Sequence, residues 1–400
     1  MSMGMVGLLT SHPDVWSVLS SKLTITVEST QDMVDRVNGK AKAGVKTATV
    51  LPELAGKKTI EIRPIDFLRK IGTLTVPARH SMAQLSASWA AIRYCWSIEP
   101  APSGKKAPFK LSRDARSLDF HQKSLLSDEF GVGFAGLVLE RLLGAPNSLD
   151  TSAVLTEKGP KKPLQGKLKT RRQPDYVMWG KSTPYYVVEC KGCQSSSAHS
   201  VSQIASGLAQ LDSLRLKPGK RAVVKIVVAA RMLQNSTSIL VVDPEDSEEE
   251  PAGTPIKRDK RAKQWVIEND EQFARLAWVG HEAQLFRFIG QYSEADQLAL
   301  QLPVRPDLKS EFTRPNELTI EKQWNGSTFL GYSSSVLPEL GKNWPRLFRG
   351  IDADLLETLR SGKDPDAIQE QLNSRQGRAL SEQPNISIGA DGTCYALEFE

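Results

Sequence analysis

Residues 174–191 read Pro174-Asp175-Tyr176-Val177-Met178-Trp179-Gly180-Lys181-Ser182-Thr183-Pro184-Tyr185-Tyr186-Val187-Val188-Glu189-Cys190-Lys191, and this stretch decides the fold. Residues 175–179 and 185–190 are short runs of aromatic and β-branched side chains, the composition of buried strands. Between them, Gly180, Lys181, Ser182, Thr183 and Pro184 are turn formers at the usual length of a hairpin loop. A chain folded about Ser182 sets Asp175 opposite Glu189 or one residue diagonal to it. Strand side chains alternate faces, so Glu189 and Lys191 point to one side and Cys190 to the other. Two carboxylates and an ammonium then share one patch. That is equipment for a divalent metal and a polarised water.

Working outward, residues 129–143 read as a helix, with Phe134, Leu137, Leu139 and Leu142 along an apolar stripe and glycines that allow close packing. Downstream, residues 200–214 carry Ile204, Leu208, Leu211 and Leu214 at helical spacing, and residues 222–229 and 238–242 read as strands. Pro174-Asp175 followed by Glu189-Cys190-Lys191 resembles the PD-(D/E)XK signature of the restriction-endonuclease-like nuclease superfamily. The resemblance implies an α/β fold with an α-β-β-β-α-β core, whose first strand residues 152–155 would supply. It implies that Asp175 and Glu189 bind Mg2+ (or Mn2+ as a substitute), and that the Cys190 backbone carbonyl adds a ligand. It also implies that Lys191 orients or activates the attacking water. Glu140, late in the first helix, matches a further metal-binding or site-supporting acid, and Gln203, early in the second, matches an active-site glutamine. Each has a plainer reading. Glu-x-Lys is the ordinary form of a solvated cross-strand pair, Glu140-Arg141 suits any surface helix end, and Gln203 can simply face water.

The chemistry is that of phosphodiester hydrolysis. The substrate is anionic and repels hydroxide, so a hard cation on carboxylate oxygens must offset charge and make a nucleophile near neutral pH. The hairpin contains no histidine, which favours metal-assisted over histidine-based hydrolysis.

Charge points to the same class of partner. The net charge is +6, and Lys161, Lys162, Lys167, Lys169, Arg171 and Arg172 crowd a loop that leads into Asp175. Such a loop grips backbone phosphates without reading bases, or else is a solvated loop. A second basic run, Lys257 to Lys263, follows the acidic residues 245–250 across Pro251, Gly253 and Pro255, and reads as a linker or insertion. At 400 residues the chain has room for two or three domains. The divisions read here are an α+β region over 1–115, the nuclease core over 116–244, the charged linker over 245–263 and a mainly helical region over 264–400 that ends in a β-hairpin. In the first region residues 22–27, 47–51 and 59–62 look extended and 80–95 helical. The aromatic residues of the last region, Trp265 to Phe348, read as core before they read as nucleotide-stacking platforms.

Several classes drop out. Neither Gly180-Lys181-Ser182 nor Gly56-Lys57-Lys58-Thr59 has the earlier glycine of a P-loop. Cys190-Lys191-Gly192-Cys193 has half a zinc spacing without a second pair, and four cysteines favour a reducing, cytoplasmic setting. No apolar run suits a membrane span and residues 1–10 lack a secretory pattern. Two functions are therefore expected. The first is a magnesium-dependent endonuclease acting on nucleic acid, DNA favoured over RNA, in prokaryotic restriction, anti-phage defence or mobile-element processing. Cutting both strands would require a homodimer or sequential nicking, and targeting would fall to a partner or the terminal regions. The second is a catalytically silent nucleic-acid-binding or assembly protein that retains the nuclease fold.

Overall fold

One mixed nine-stranded sheet organises the chain. The structure is a computed structural model that describes residues 12–41, 47–76, 88, 90, 93–153, 173–181, 183–211, 214–216, 223–244, 265–267, 270–302, 320–335, 346–362, 368, 370–372 and 383–398. Its strands are β1 (Lys22–Ser29), β2 (Ala48–Thr49), β3 (Gly56–Ile62), β4 (Lys106–Pro108), β5 (Asn147–Asp150), β6 (Tyr176–Trp179), β7 (Tyr185–Cys193), β8 (Leu214–Leu216), β9 (Val223–Met232) and β10 (Thr237–Pro244). The helices are α1 (His12–Leu19), α2 (Gln31–Asn38), α3 (Pro64–Leu74), α4 (Arg113–Ser117), α5 (Phe120–Leu142), α6 (Ser197–Leu211), α7 (Asp270–Phe288), α8 (Tyr292–Ala299) and α9 (Ala353–Arg360). The remaining strands are β11 (Trp265–Ile267), β12 (Ile320–Trp324), β13 (Ser327–Ser335), β14 (Arg346–Asp352), β15 (Ile386–Ile388) and β16 (Thr393–Glu398).

The large sheet runs β3-β1-β10-β9-β7-β6-β5, with β2 on β10 and β4 on β1. β5, β6 and β7 form an antiparallel meander, and β7 lies parallel to β9. A parallel pair needs a crossover, and α6 supplies it. Residues 185–190 are buried without a break, as befits a central strand covered on both faces. The first strand of the meander is residues 147–150 rather than 152–155, because residues 151–153 turn as a short 3-10 helix.

Helix α5 is the hub. Its N-cap Asp119 accepts from the Gln122 amide at 3.0 Å, and Gly144, at φ +63°, ends it in the left-handed conformation that glycine adopts freely. A Cβ on Gly131 would lie 2.7 Å from the carbonyl carbon and oxygen of Lys191, and one on Gly192 would lie 1.7 Å from Ser127 O. Helix and strand backbones therefore touch at a distance that only glycine permits. On another side of α5, Gly133 and Gly136 admit Ile71, Phe67, Leu74 and Lys70 of α3. Phe67, Phe109, Phe130 and Phe134 pack edge-on and tilted, with centroids 4.4–6.3 Å apart, and seal this joint.

Two expectations about organisation are corrected. The boundary at residue 115 is not a sheet boundary, since β1 pairs in parallel with β10 and carries β3 and β4. Burying the apolar face of residues 22–29 required the same sheet, not a separate one. The C-terminal region is mixed: beside α7, α8 and α9, β12-β13-β14-β16-β15 form a five-stranded antiparallel sheet of which only the terminal hairpin was expected. Asn325 and Gly326, at φ 52° and 75°, make the two-residue turn between β12 and β13. The terminal hairpin is present as β15 and β16. The linker 245–263 and most of residues 80–95 lie outside the described residues. Among the described residues, no helix is long and apolar enough to cross a membrane.

Candidate active site

The hairpin register is centred on residue 182. Tyr176 pairs with Val188, Val177 with Val187 and Met178 with Tyr186, which carries Asp175 opposite Glu189. The Asp175 amide donates to Val188 O at 3.0 Å, and Cys190 N donates to Asp175 Oδ2 at 2.8 Å. The carboxylate thus reaches across to β7. On its other side, the Thr151 amide donates to Asp175 O at 3.1 Å and the Thr151 hydroxyl donates to Pro174 O. Asp175 is pinned by β7 on one side and by the turn after β5 on the other.

Glu189 is fully buried and its Oε1 accepts from Lys191 Nζ. Lys191 Nζ also donates to Gln210 Oε1 at 3.2 Å, so α6 holds the ammonium from above the sheet. Room for the glutamate comes from Gly207. A Cβ there would lie 2.9 Å from Val227 Cγ1 and 3.2 Å from Glu189 Cγ. Cys190 faces the other way and is buried, as strand alternation requires.

The electrostatics of the patch are those of crowded acids. Burial pushes the Asp175 carboxyl up, the Cys190 amide and Lys191 pull it back, and Asp150 and Asp128 push it further up. Asp128, exposed on α5, is raised by partial desolvation, against a lowering pull from Lys191. Burial and then the charges of Asp175 and Glu189 hold the Cys190 thiol well above its ordinary value.

The remaining site residues divide. Glu140 is not at the hairpin. Its carboxylate lies between Arg69 Nη2 at 2.9 Å and Lys70 Nζ at 2.7 Å, and Oε1 also accepts from the Ala390 amide at 3.1 Å. Asp391 completes this buried cluster, 3.2 Å from Arg69 and 3.5 Å from Lys70. Glu140 is therefore a structural ion that ties α3, α5 and the C-terminal hairpin together. The helix acid that senses the site is Asp128, about 18 Å closer to the N-terminus of α5 at 1.5 Å per residue. Gln203 lies seven residues before Gln210, hence on the same face of α6. Its buried Oε1 has no hydrogen-bond partner among the described residues. Lys161, Lys162, Lys167, Lys169, Arg171 and Arg172 all lie outside the described residues. Asp128 and Gln210 are the residues that sequence reasoning missed. Asp128 had a signal, being three residues before Gly131 on the side of α5 that meets β7.

Comparison of the chain with protein-family models, with curated proteins and with solved structures finds no match. What the fold and site define is a mixed α/β protein with a carboxylate–lysine centre at a sheet hairpin. Among the described residues, no three His, Cys, Asp or Glu side chains group closely enough to hold a metal ion by themselves. The donor chemistry nonetheless suits magnesium, which takes one or two carboxylates and fills its octahedron with water. Asp175 and Glu189 are two such carboxylates, and a divalent cation would offset the burial, and the charges of Asp150 and Asp128, that raise Asp175.

Proposed function

We propose that this protein is a magnesium-dependent nuclease of the restriction-endonuclease-like type that hydrolyses phosphodiester bonds, with DNA favoured over RNA. The observation that carries the reading is the β6–β7 register, which sets Asp175 across from Glu189 with Lys191 Nζ on the Glu189 carboxylate. The chain order α5-β5-β6-β7-α6-β9, with an antiparallel meander and then a parallel crossover, accords with the α-β-β-β-α-β core of that superfamily.

In this reading Asp175, Glu189 and the Cys190 carbonyl would hold the metal, and Asp128 lies within electrostatic reach of Asp175. When bound, magnesium supplies a Lewis acid and a water of lowered pKa. Lys191, whose ammonium lies on the Glu189 carboxylate, would orient the attacking water and offset the negative charge that builds on the phosphate. Gln210 limits where the ammonium can swing, and Gly207 lets Glu189 sit deep enough to face Lys191. Packing of α5 and α6 on the two faces of β7 buries Glu189, which strengthens its pairing with Lys191. Cutting both strands of a duplex calls for two such centres, so a homodimer or a targeting partner belongs to the same reading, as does a role in restriction, anti-phage defence or mobile-element processing.

Linear DNA, supercoiled DNA and RNA incubated with magnesium, with EDTA and with the Lys191→Ala protein test this. Magnesium-dependent cutting that disappears in both controls is the expected result, a loss of about 100-fold or more for Lys191→Ala. Nucleic-acid binding with identical background in all three arms identifies a silent scaffold instead.

A further inference from the structure

Beyond the hairpin, the same sheet face carries a second feature that the proposed chemistry does not use. Across the parallel β7–β9 ladder, Lys191 pairs with Ala229 and Cys193 with Arg231. Arg231 therefore leaves the sheet on the face of Lys191, one alternation further along, about 7 Å at the rise of a strand. Its Nη1 donates to the Ser197 hydroxyl at 3.1 Å and its Nε to the Ser238 hydroxyl at 3.0 Å. A second guanidinium arrives from the N-terminal region. Helix α2 packs on α6, and Arg36 Nη2 donates to the same Ser197 hydroxyl at 2.7 Å. Arg36 is exposed and Arg231 half-buried.

Among the described residues, neither arginine forms an ion pair with a carboxylate. The acids of α2 do not supply one, since Asp35 takes the Gln31 amide at 2.7 Å and Asp32 lies exposed in the first turn. Two like charges that converge on one neutral hydroxyl repel each other unless an anion joins them. A guanidinium has five donors in a planar fork, so both retain donors for such an anion. The forks match a phosphate and the net charge of +6 favours a polyanion.

We propose that Arg36 and Arg231 form a phosphate-binding subsite for the nucleic-acid backbone, outside the cleavage centre on the same sheet face. The subsite fixes the register of the strand without reading bases, and it gives α2 a role in substrate binding. It rests on the reading of nucleic acid as the substrate, but not on the cleavage chemistry.

The test is fluorescence anisotropy of a labelled duplex DNA with the full chain in EDTA, repeated over a salt series. The proteins compared are the unaltered chain, Arg36→Gln/Arg231→Gln, and a charge-matched control, Lys105→Gln/Arg113→Gln, at two exposed sites elsewhere. Two lost phosphate contacts lower the slope of log affinity against log salt by about 1.8. Over a fourfold rise in salt the unaltered protein then loses about 12-fold more affinity than the double variant. The control keeps the original slope. An unchanged slope in the arginine variant, an equal fall in the control, or no DNA binding by the unaltered chain overturns the subsite. If the double variant fails to fold by circular dichroism, exposed Arg36→Gln alone is read, with an expected fall of about 0.9. Binding that behaves as expected in a protein that never cuts leaves the subsite standing and removes the nuclease. Cutting with an unaltered slope does the reverse.

Discussion

Replacing Glu140 by glutamine separates its two readings, a ligand of the metal centre and an ion of the buried cluster. In the structure the cluster is balanced: Arg69 and Lys70 face Glu140 and Asp391, and the four side chains are 2%, 1%, 9% and 4% exposed. Glu140→Gln keeps the shape but leaves one cation uncompensated, two cations then sharing Asp391. Breaking one side of a buried pair costs about 3–5 kcal/mol, because a desolvated charge is stranded. With an unfolding entropy of about 2.1 cal/mol/K per residue, a chain of this length loses about 4–6 °C of melting temperature. Differential scanning calorimetry reads that shift, and single-turnover cutting below the transition reads the activity of the folded fraction. The expected outcome is a large stability loss with cutting retained. Cutting abolished at an unchanged melting temperature would refute the cluster reading and return Glu140 to the metal. The pH dependence provides a second arm. Burial alone would raise the carboxyls of Glu140 and Asp391, but Arg69 and Lys70 outweigh it and hold both below the ordinary carboxylate range. Lowered folded values mean stability that is present above the unfolded carboxylate pKa and lost as pH falls through the folded ones. The acid side of the melting profile should accordingly be shallower in Glu140→Gln.

Two further substitutions probe the centre itself. Asp175 has a carboxyl raised by burial, so its contribution is present below the ordinary pKa and is lost as pH rises. Asp175→Asn keeps an acceptor for the Cys190 amide and removes the charge. It should raise the melting temperature at neutral pH while abolishing cutting, and magnesium at about 100 times its Kd should add about 2.7 kcal/mol to the unaltered protein but not to the variant. A lower melting temperature for Asp175→Asn would count against crowded acids. Gly192→Ala would place a methyl 1.7 Å from Ser127 O, a backbone atom that can retreat only if α5 and β7 separate. A loss of about 3 kcal/mol or more in urea unfolding is expected, together with loss of cutting. A neutral effect would mean that α5 is not seated on β7 as described.

The hairpin was legible because its information is local. Apolar runs on both sides of Gly180 to Pro184 fix two strands, and strand periodicity then fixes which side chains share a face. Tyr176 pairing with Val188 follows from nothing more distant than the turn. The N-terminal strands were legible as strands but not as members of this sheet. The parallel pairing of β1 with β10 joins residues some two hundred apart, and no local pattern encodes it. The C-terminal sheet had a local signal that went unread. Asn325-Gly326 between Trp324 and Ser327 is the strongest short hairpin dipeptide, and it lies between β12 and β13.

The choice of helix acid shows what kind of information the sequence still held. Helix α5 has two contact stripes. Ser127 and Gly131, four apart, press on the β7 backbone, whereas Gly133, Gly136 and Glu140 follow a different phase and press on α3. An acid can serve the hairpin only near the first stripe, at the end of the helix where β7 runs past Lys191. Asp128 meets that condition and Glu140 fails it twice, by phase and by about 18 Å of helix. Glycine positions on a buried helix therefore mark where another backbone passes, since a missing side chain there is required by the neighbour. The phase of the first stripe points to Asp128. The same reasoning applies to Gly207 on α6, which marks the level of Glu189, next to the turn of helix from which Gln210 reaches Lys191.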